Sequence, residues 1–158
     1  MTAEFERAFD WVVGEEGGYV DDANDPGGET RFGISKHAYP DEDIPNMTLT
    51  RAQALYQRDY WAKLGGDELP VGIGLVLFDW AVNSGVGTAV KALQKLVGVV
   101  QDGIIGPTTI AAAKQYPARS IIQKLSASRA LHVMDLPMFV KFGHGWITRV
   151  IETAVEAI

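Results

Sequence analysis

Glu16, Asp25 and Thr30 fall within fifteen residues of sequence, and their types and order could support hydrolysis of a bond between two sugars. That reaction generally takes two carboxyl groups flanking the bond. One is protonated and gives its proton to the leaving oxygen; the other is ionised and activates water or attacks carbon. A glutamate closing a helix against apolar neighbours suits the acid role, because desolvation and the negative helix end both disfavour its charge. An aspartate in a glycine-rich turn stays hydrated and ionised, and environments that push two carboxyls apart assign the two roles. Thr30 is placed to hold the water that the base activates. Trp11, Tyr19, Phe32 and Tyr39 are aromatic candidates for stacking on sugar faces. By spacing alone the same residues fit ordinary roles, Glu16 as a solvated helix-end residue and Asp25 as a turn former. Asp22 competes for the second carboxyl, and Glu15, less strongly, for the first.

The elements that must position these groups are legible from periodicity. Phe5, Ala8, Phe9, Val12 and Val13 recur at helical spacing and predict a first helix with one buried face, ending near Glu16 with Gly17 and Gly18 as its cap. Asp21, Asp22, Asn24, Asp25, Pro26, Gly27 and Gly28 form a dense turn cluster. Flanked by Tyr19-Val20 and by Arg31 to Ile34, it predicts a small irregular hairpin. Thr50 to Gln53 reads as a capping box opening a helix through about Lys63. Leu69 to Val82 is apolar on all sides and belongs at the centre of the fold, with Gly72 and Gly74 permitting close packing. Asp79 and Asn83 on that helix are polar groups that need partners or line a cleft. Thr88 is expected to cap a short helix, Asp102 to Thr108 to form a tight loop opening another, and Pro117 to start a helix running to about Met134. A last helix carries Phe139, Phe142, Trp146, Ile147, Val150, Ile151 and Ala154. The expectation is an α+β fold, predominantly α-helical, with about seven helices and one small β-hairpin bearing part of the active site.

Composition narrows the function classes. At 47% hydrophobic and 22% charged residues, the 158-residue chain can bury a core without staples. It has no cysteine, which removes disulfides, thiolate metal sites and cysteine nucleophiles. The net charge of −6, with basic residues scattered, argues against nucleic acid as a partner. A calcium loop starting at Asp21 fails, since Ala23, Pro26 and Phe32 occupy positions that need an acid, a glycine and a glutamate. His37, His132 and His144 have no paired ligand spacing, so no metal or other cofactor is expected. Trp61, Trp80 and Trp146 sit on predicted helices and read as core. The first fourteen residues lack the basic-then-apolar plan of an export signal, and the longest apolar run, Val71 to Phe78, is too short to span a bilayer. No stable membrane insertion is expected, and delivery to a substrate outside the cytoplasm would need help.

The run Glu16 to Asp22, then Asn24 to Gly28, Thr30 and Gly33-Ile34-Ser35, resembles the opening block of glycoside hydrolase family 108, the N-acetylmuramidases of phage endolysins and prophage-like lysis modules. Phe78 to Gly85 resembles that family's second signature. Leu93 to Leu96 through Asp102 to Thr108 is similar to the predicted peptidoglycan-binding region that follows. The resemblance implies a lysozyme-like fold, residues 1–86 as the catalytic region and 87–158 as a peptidoglycan-binding-like region packed with it as one compact domain. It implies Glu16 as catalytic acid, acting on the β-1,4 bond between N-acetylmuramic acid and N-acetylglucosamine. Tyr19, Asp22, Phe32, Tyr39 and Asn83 are, from their types and places in the chain, the candidate substrate-binding residues. Related phage lysozymes carry the same Glu-to-Asp spacing, with Thr30 one position early; within the family 108 block, Ala23 stands where a proline is common. A lytic transglycosylase, or a non-catalytic wall binder, are the alternatives. The implied setting is a monomer made in a host cytoplasm, released with a holin's assistance, and active on glycan strands in the periplasm or wall.

Overall fold

The computed structural model describes residues 1–14, 18–21 and 28–158. Among these there are seven α-helices and one two-stranded antiparallel sheet, an α+β architecture that is predominantly helical. Helix α1 (Ala3–Val13) starts at a Thr2 cap, whose hydroxyl accepts from the Phe5 N–H at 3.3 Å, and it buries Phe5, Ala8 and Phe9 as its spacing predicts. It ends earlier than expected. Gly14, at φ 71°, closes it with a bond from its N–H to the Asp10 carbonyl at 2.9 Å. A left-handed cap of this kind is easiest for glycine, and Gly14 is the first one the helix meets. Glu16 therefore follows α1 rather than ending it.

Val20 and Thr30 exchange both backbone bonds at 2.8 Å. Beyond that bridge the chain turns again: β1 (Thr30–Arg31) pairs with β2 (Ile34–Ser35) in the register Thr30 to Ser35 and Arg31 to Ile34. The sequence places Arg31 to Ile34 in one strand; the structure folds them into a hairpin around Phe32 and Gly33. Both have positive φ, 51° and 73°, the signature of a two-residue turn whose twist matches its strands.

Helix α2 (Leu49–Tyr56) begins two residues before the expected box. Thr48 is its cap, accepting from the Arg51 N–H at 3.2 Å, because a start there gives the exposed N–H an acceptor while burying Ala52, Leu55 and Tyr56. A π-helical turn (Gln57–Trp61) continues α2 and carries Trp61 into the core.

Helix α3 (Ile73–Ser84) is the central one, buried without interruption from Ile73 to Ala81. Its glycines permit close approach: a side chain at Gly74 would meet Trp61 at 2.8 Å, and one at Gly72 would strike the Ala157 carbonyl. Helix α4 (Val86–Val97) follows directly, sharing Gly85 as its cap, so Thr88 lies inside the helix rather than before it. Helix α5 (Pro107–Ala113) opens on its proline. Helix α6 (Ala118–Met134) and helix α7 (Phe139–Ala157) complete the chain. One apolar core joins both halves, Phe5, Phe9, Trp61 and Phe78 packing in the same cluster as Leu93, Ile121, Ile122 and Leu125. Among the described residues no helix is long and apolar enough to cross a membrane.

Candidate active site

Glu16, Asp25, Asp22 and the rival Glu15 lie outside the described residues. What the structure supplies is the frame on either side of them, and it has two parts.

The first part is the hairpin. Thr30 is half-buried on β1, and its hydroxyl donates to the Gly28 carbonyl at 3.3 Å. Tyr19 stands beside the Val20–Thr30 bridge, exposed, donating to Glu29 at 3.0 Å. Partial desolvation, and then that bond, raise the Tyr19 phenol above its usual range. Phe32 occupies the turn, with the Arg31 guanidinium 5.5 Å from its ring centre. Tyr39 follows β2 and is half-buried; it donates to Asp59 at 3.0 Å. Burial, more than that bond, drives its phenol pKa far up. Asp59 is held below the usual carboxylate range by its hydrogen bond from Arg58. Tyr19, Thr30 and Phe32 thus gather at one small hairpin, and Tyr39 stands where that hairpin meets α2's extension.

The second part fixes the end of α1. Asp79, wholly buried on α3, is the acceptor of a polar hub. Arg129 of α6 donates to its Oδ2, Arg149 of α7 to its Oδ1 at 2.8 Å, and Thr153 of α7 to its Oδ2 at 2.9 Å. Burying one carboxylate is costly unless cations and hydroxyls satisfy it. The hub then reaches α1. Arg149 donates to the Val12 carbonyl at 3.2 Å, and Trp11 donates from its indole to the Thr153 hydroxyl at 3.0 Å. The last turn of α1, which leads through Gly14 toward Glu16, is therefore clamped by the C-terminal helices. Trp11, a stacking candidate by type, makes its polar contact inside this hub.

Asn83, at the end of α3, donates to the Asp79 carbonyl at 2.7 Å and borders a cavity of about 300 Å³. Trp146 borders the same cavity. Trp61 and Trp80 are core residues as expected, whereas Trp146 is only half-buried. The Asp102–Thr108 loop is a connector pinned from inside: buried Gln94 donates to Asp102 at 2.7 Å and to the Ile104 carbonyl at 3.0 Å, and accepts from the Gly103 N–H at 2.9 Å. Among the described residues no three histidine or acidic side chains converge as a metal site requires.

Sequence reasoning missed Arg129, Arg149 and Thr153, which lie 50, 70 and 74 residues beyond Asp79. The available signal was Asp79 itself. A carboxylate on an all-apolar helix demands cations from other elements, and α6 and α7 carry the arginines.

Residues 9–85 match the model of the family described as Glycosyl hydrolase 108. The chain is also similar to Brucella abortus SagA, a solved structure, at 40% identity, with a TM-score of 0.85 and coverage of 97% of this chain and 92% of that one. No curated protein matches it.

Proposed function

The chain belongs to the glycosyl hydrolase 108 family, and from that premise we propose that it is a muramidase cutting the β-1,4 bond between N-acetylmuramic acid and N-acetylglucosamine in peptidoglycan. Membership supports a glycoside hydrolase acting on peptidoglycan; the bond and the residue roles are our assignment. One observation carries it: the matched residues 9–85 span Glu16, Asp25 and Thr30 together.

Glu16 acts as the acid, protonating the glycosidic oxygen as the bond breaks. Asp25 stays ionised and takes a proton from the attacking water, which Thr30 orients. Two carboxyls with separated environments are the usual requirement for this step. Tyr19, Phe32 and Tyr39 offer aromatic faces to the sugar rings, and Asp22 and Asn83 offer polar contacts. We assign the protein, as part of the same proposal, an endolysin role: a monomer made in a host cytoplasm, released with a holin, and lysing the wall. Residues 87–158 are proposed to add affinity for peptidoglycan while completing the fold.

The test is turbidity clearing of purified peptidoglycan by the wild type, Glu16→Gln and Asp25→Asn, with product masses. Glu16→Gln is expected to abolish clearing, and full activity in it ends the assignment. Near-normal clearing by Asp25→Asn moves the second role to Asp22. A product one water lighter makes the enzyme a lytic transglycosylase.

A further inference from the structure

The cavity of about 300 Å³ between the end of α3, α6 and α7 is bordered by Asn83 but takes no part in the acid–base step above. Its size is at the lower end of small-molecule sites. Trp146, Leu136 and Val133 give it an apolar wall, and Arg129 and Arg149 border it with charge. Two guanidiniums there share one carboxylate, Asp79, and among the described residues neither pairs with a second acid. The cluster therefore carries one surplus positive charge. Arg129 is buried, but the Arg149 side chain is 38% exposed. Its Nε and Nη2 serve Asp79 and the α1 carbonyls, while its Nη1 bonds no described residue. An apolar wall next to a partly free guanidinium suits a carboxylate on a short aliphatic arm.

Resting on the peptidoglycan reading above, we propose that this cavity is the subsite for the lactyl arm of muramic acid. The arm is the one feature that separates the two alternating sugars, and it carries a methyl group and a carboxyl on the same carbon. The methyl faces Trp146 and Leu136, and the carboxylate takes the Arg149 Nη1 donor. Where a stem peptide converts that carboxyl to an amide, its carbonyl still accepts the same bond. The pocket thus orients the strand by recognising which of its sugars is muramic acid. It also places that recognition on the arginine that clamps α1.

The two monosaccharides test this directly, since neither contains the scissile bond. In ¹H–¹⁵N correlation spectra, N-acetylmuramic acid is expected to move the Gly145 amide, the Trp146 indole and the Arg149 Nε–H signals. N-acetylglucosamine is expected to bind there roughly tenfold more weakly, the worth of about one charge-assisted hydrogen bond. Gly145 lines the cavity, and a Cβ on it would meet nothing within 4 Å. Gly145→Leu should therefore fold, with an equal or higher melting temperature because glycine is a poor helix former, and should lose the preference for N-acetylmuramic acid. Equal responses to the two sugars, responses confined to other residues, or an undiminished preference in Gly145→Leu would each overturn the subsite. Sugar discrimination without any cleavage of peptidoglycan would instead sink the hydrolase reading and leave the subsite standing.

Discussion

The Tyr56 hydroxyl donates to the Phe32 carbonyl at 3.1 Å, joining the end of α2 to the tip of the hairpin that bears Thr30. The contact is close on both sides of the turn, since a Cβ at Gly33 would lie 2.6 Å from the same oxygen. Tyr56 is itself held by the aromatic cluster of Phe9, Tyr60 and Phe78. A two-stranded hairpin is marginal alone, so this hydroxyl transmits the rigidity of the core to the sheet.

Tyr56→Phe should cost about 1–2 kcal/mol, the penalty for leaving a part-buried acceptor without its donor. It should also change the response to alkali. Burial pushes the Tyr56 phenol up to about 12, from 10.0 when unfolded. A raised folded value means that the fold favours the neutral form. Its contribution is intact below pH 10 and lost as pH rises toward 12, an effect of about 3 kcal/mol. Urea unfolding at pH 9 and pH 11.5 is expected to show a steeper loss in the wild type than in Tyr56→Phe. Parallel losses would mean that Tyr56 does not titrate with the fold. Tyr39 and Tyr60 are raised chiefly by burial in both proteins, so most of their contribution cancels.

Phe32 is the one non-glycine with positive φ among the described residues. A left-handed conformation costs such a residue about 1–2 kcal/mol, whereas asparagine followed by glycine is a preferred pair for this turn. Phe32→Asn should therefore hold or raise the melting temperature. If the ring is kept for stacking on sugar, KM for peptidoglycan should rise at the same time. A stable variant with unchanged KM would leave Phe32 without a part in binding.

Helix number and type were legible because the apolar periodicity of Phe5 to Val13, the unbroken run at α3 and the prolines at 107 and 117 each specify one local solution. Ends were less so. Gly14 and Gly17 are equal caps by type, and Thr48 and Thr50 equal N-caps; packing of the buried face chose between them. The Phe32–Gly33 turn escaped reading because a phenylalanine there is locally unfavourable and is held by Tyr56, 24 residues away. The Asp79 hub escaped for the same reason at greater range. Local chemistry announces a need for partners, but only the fold names them.

Residues 1–86 should not fold alone. Helix α3 is buried on every side, and α6 and α7 cover it with Ile121, Ile122, Leu125 and Ala157 while neutralising Asp79. Removing them exposes a large apolar surface and one buried carboxylate together. A chain ending at residue 86 is expected to melt without cooperativity by circular dichroism; a sharp two-state transition would show that the N-terminal part is autonomous.

Thr153 gives the sharpest separation of stability from catalysis. Its hydroxyl accepts from the Trp11 indole and donates to Asp79, so it relays between α1 and the hub while standing apart from the cavity. Valine has nearly the same shape without the hydroxyl. Thr153→Val should lose about 1–3 kcal/mol, because it strips a buried carboxylate oxygen of a donor and the indole of its acceptor. Since α1 leads into the segment carrying Glu16, a shift of its last turn should lower kcat on peptidoglycan while KM holds, the mark of an interaction expressed in the transition state. Thr153→Ser restores the hydroxyl and should restore kcat. If valine and serine variants turn over alike once both are folded, the clamp on α1 stabilises the protein and contributes nothing to placing Glu16.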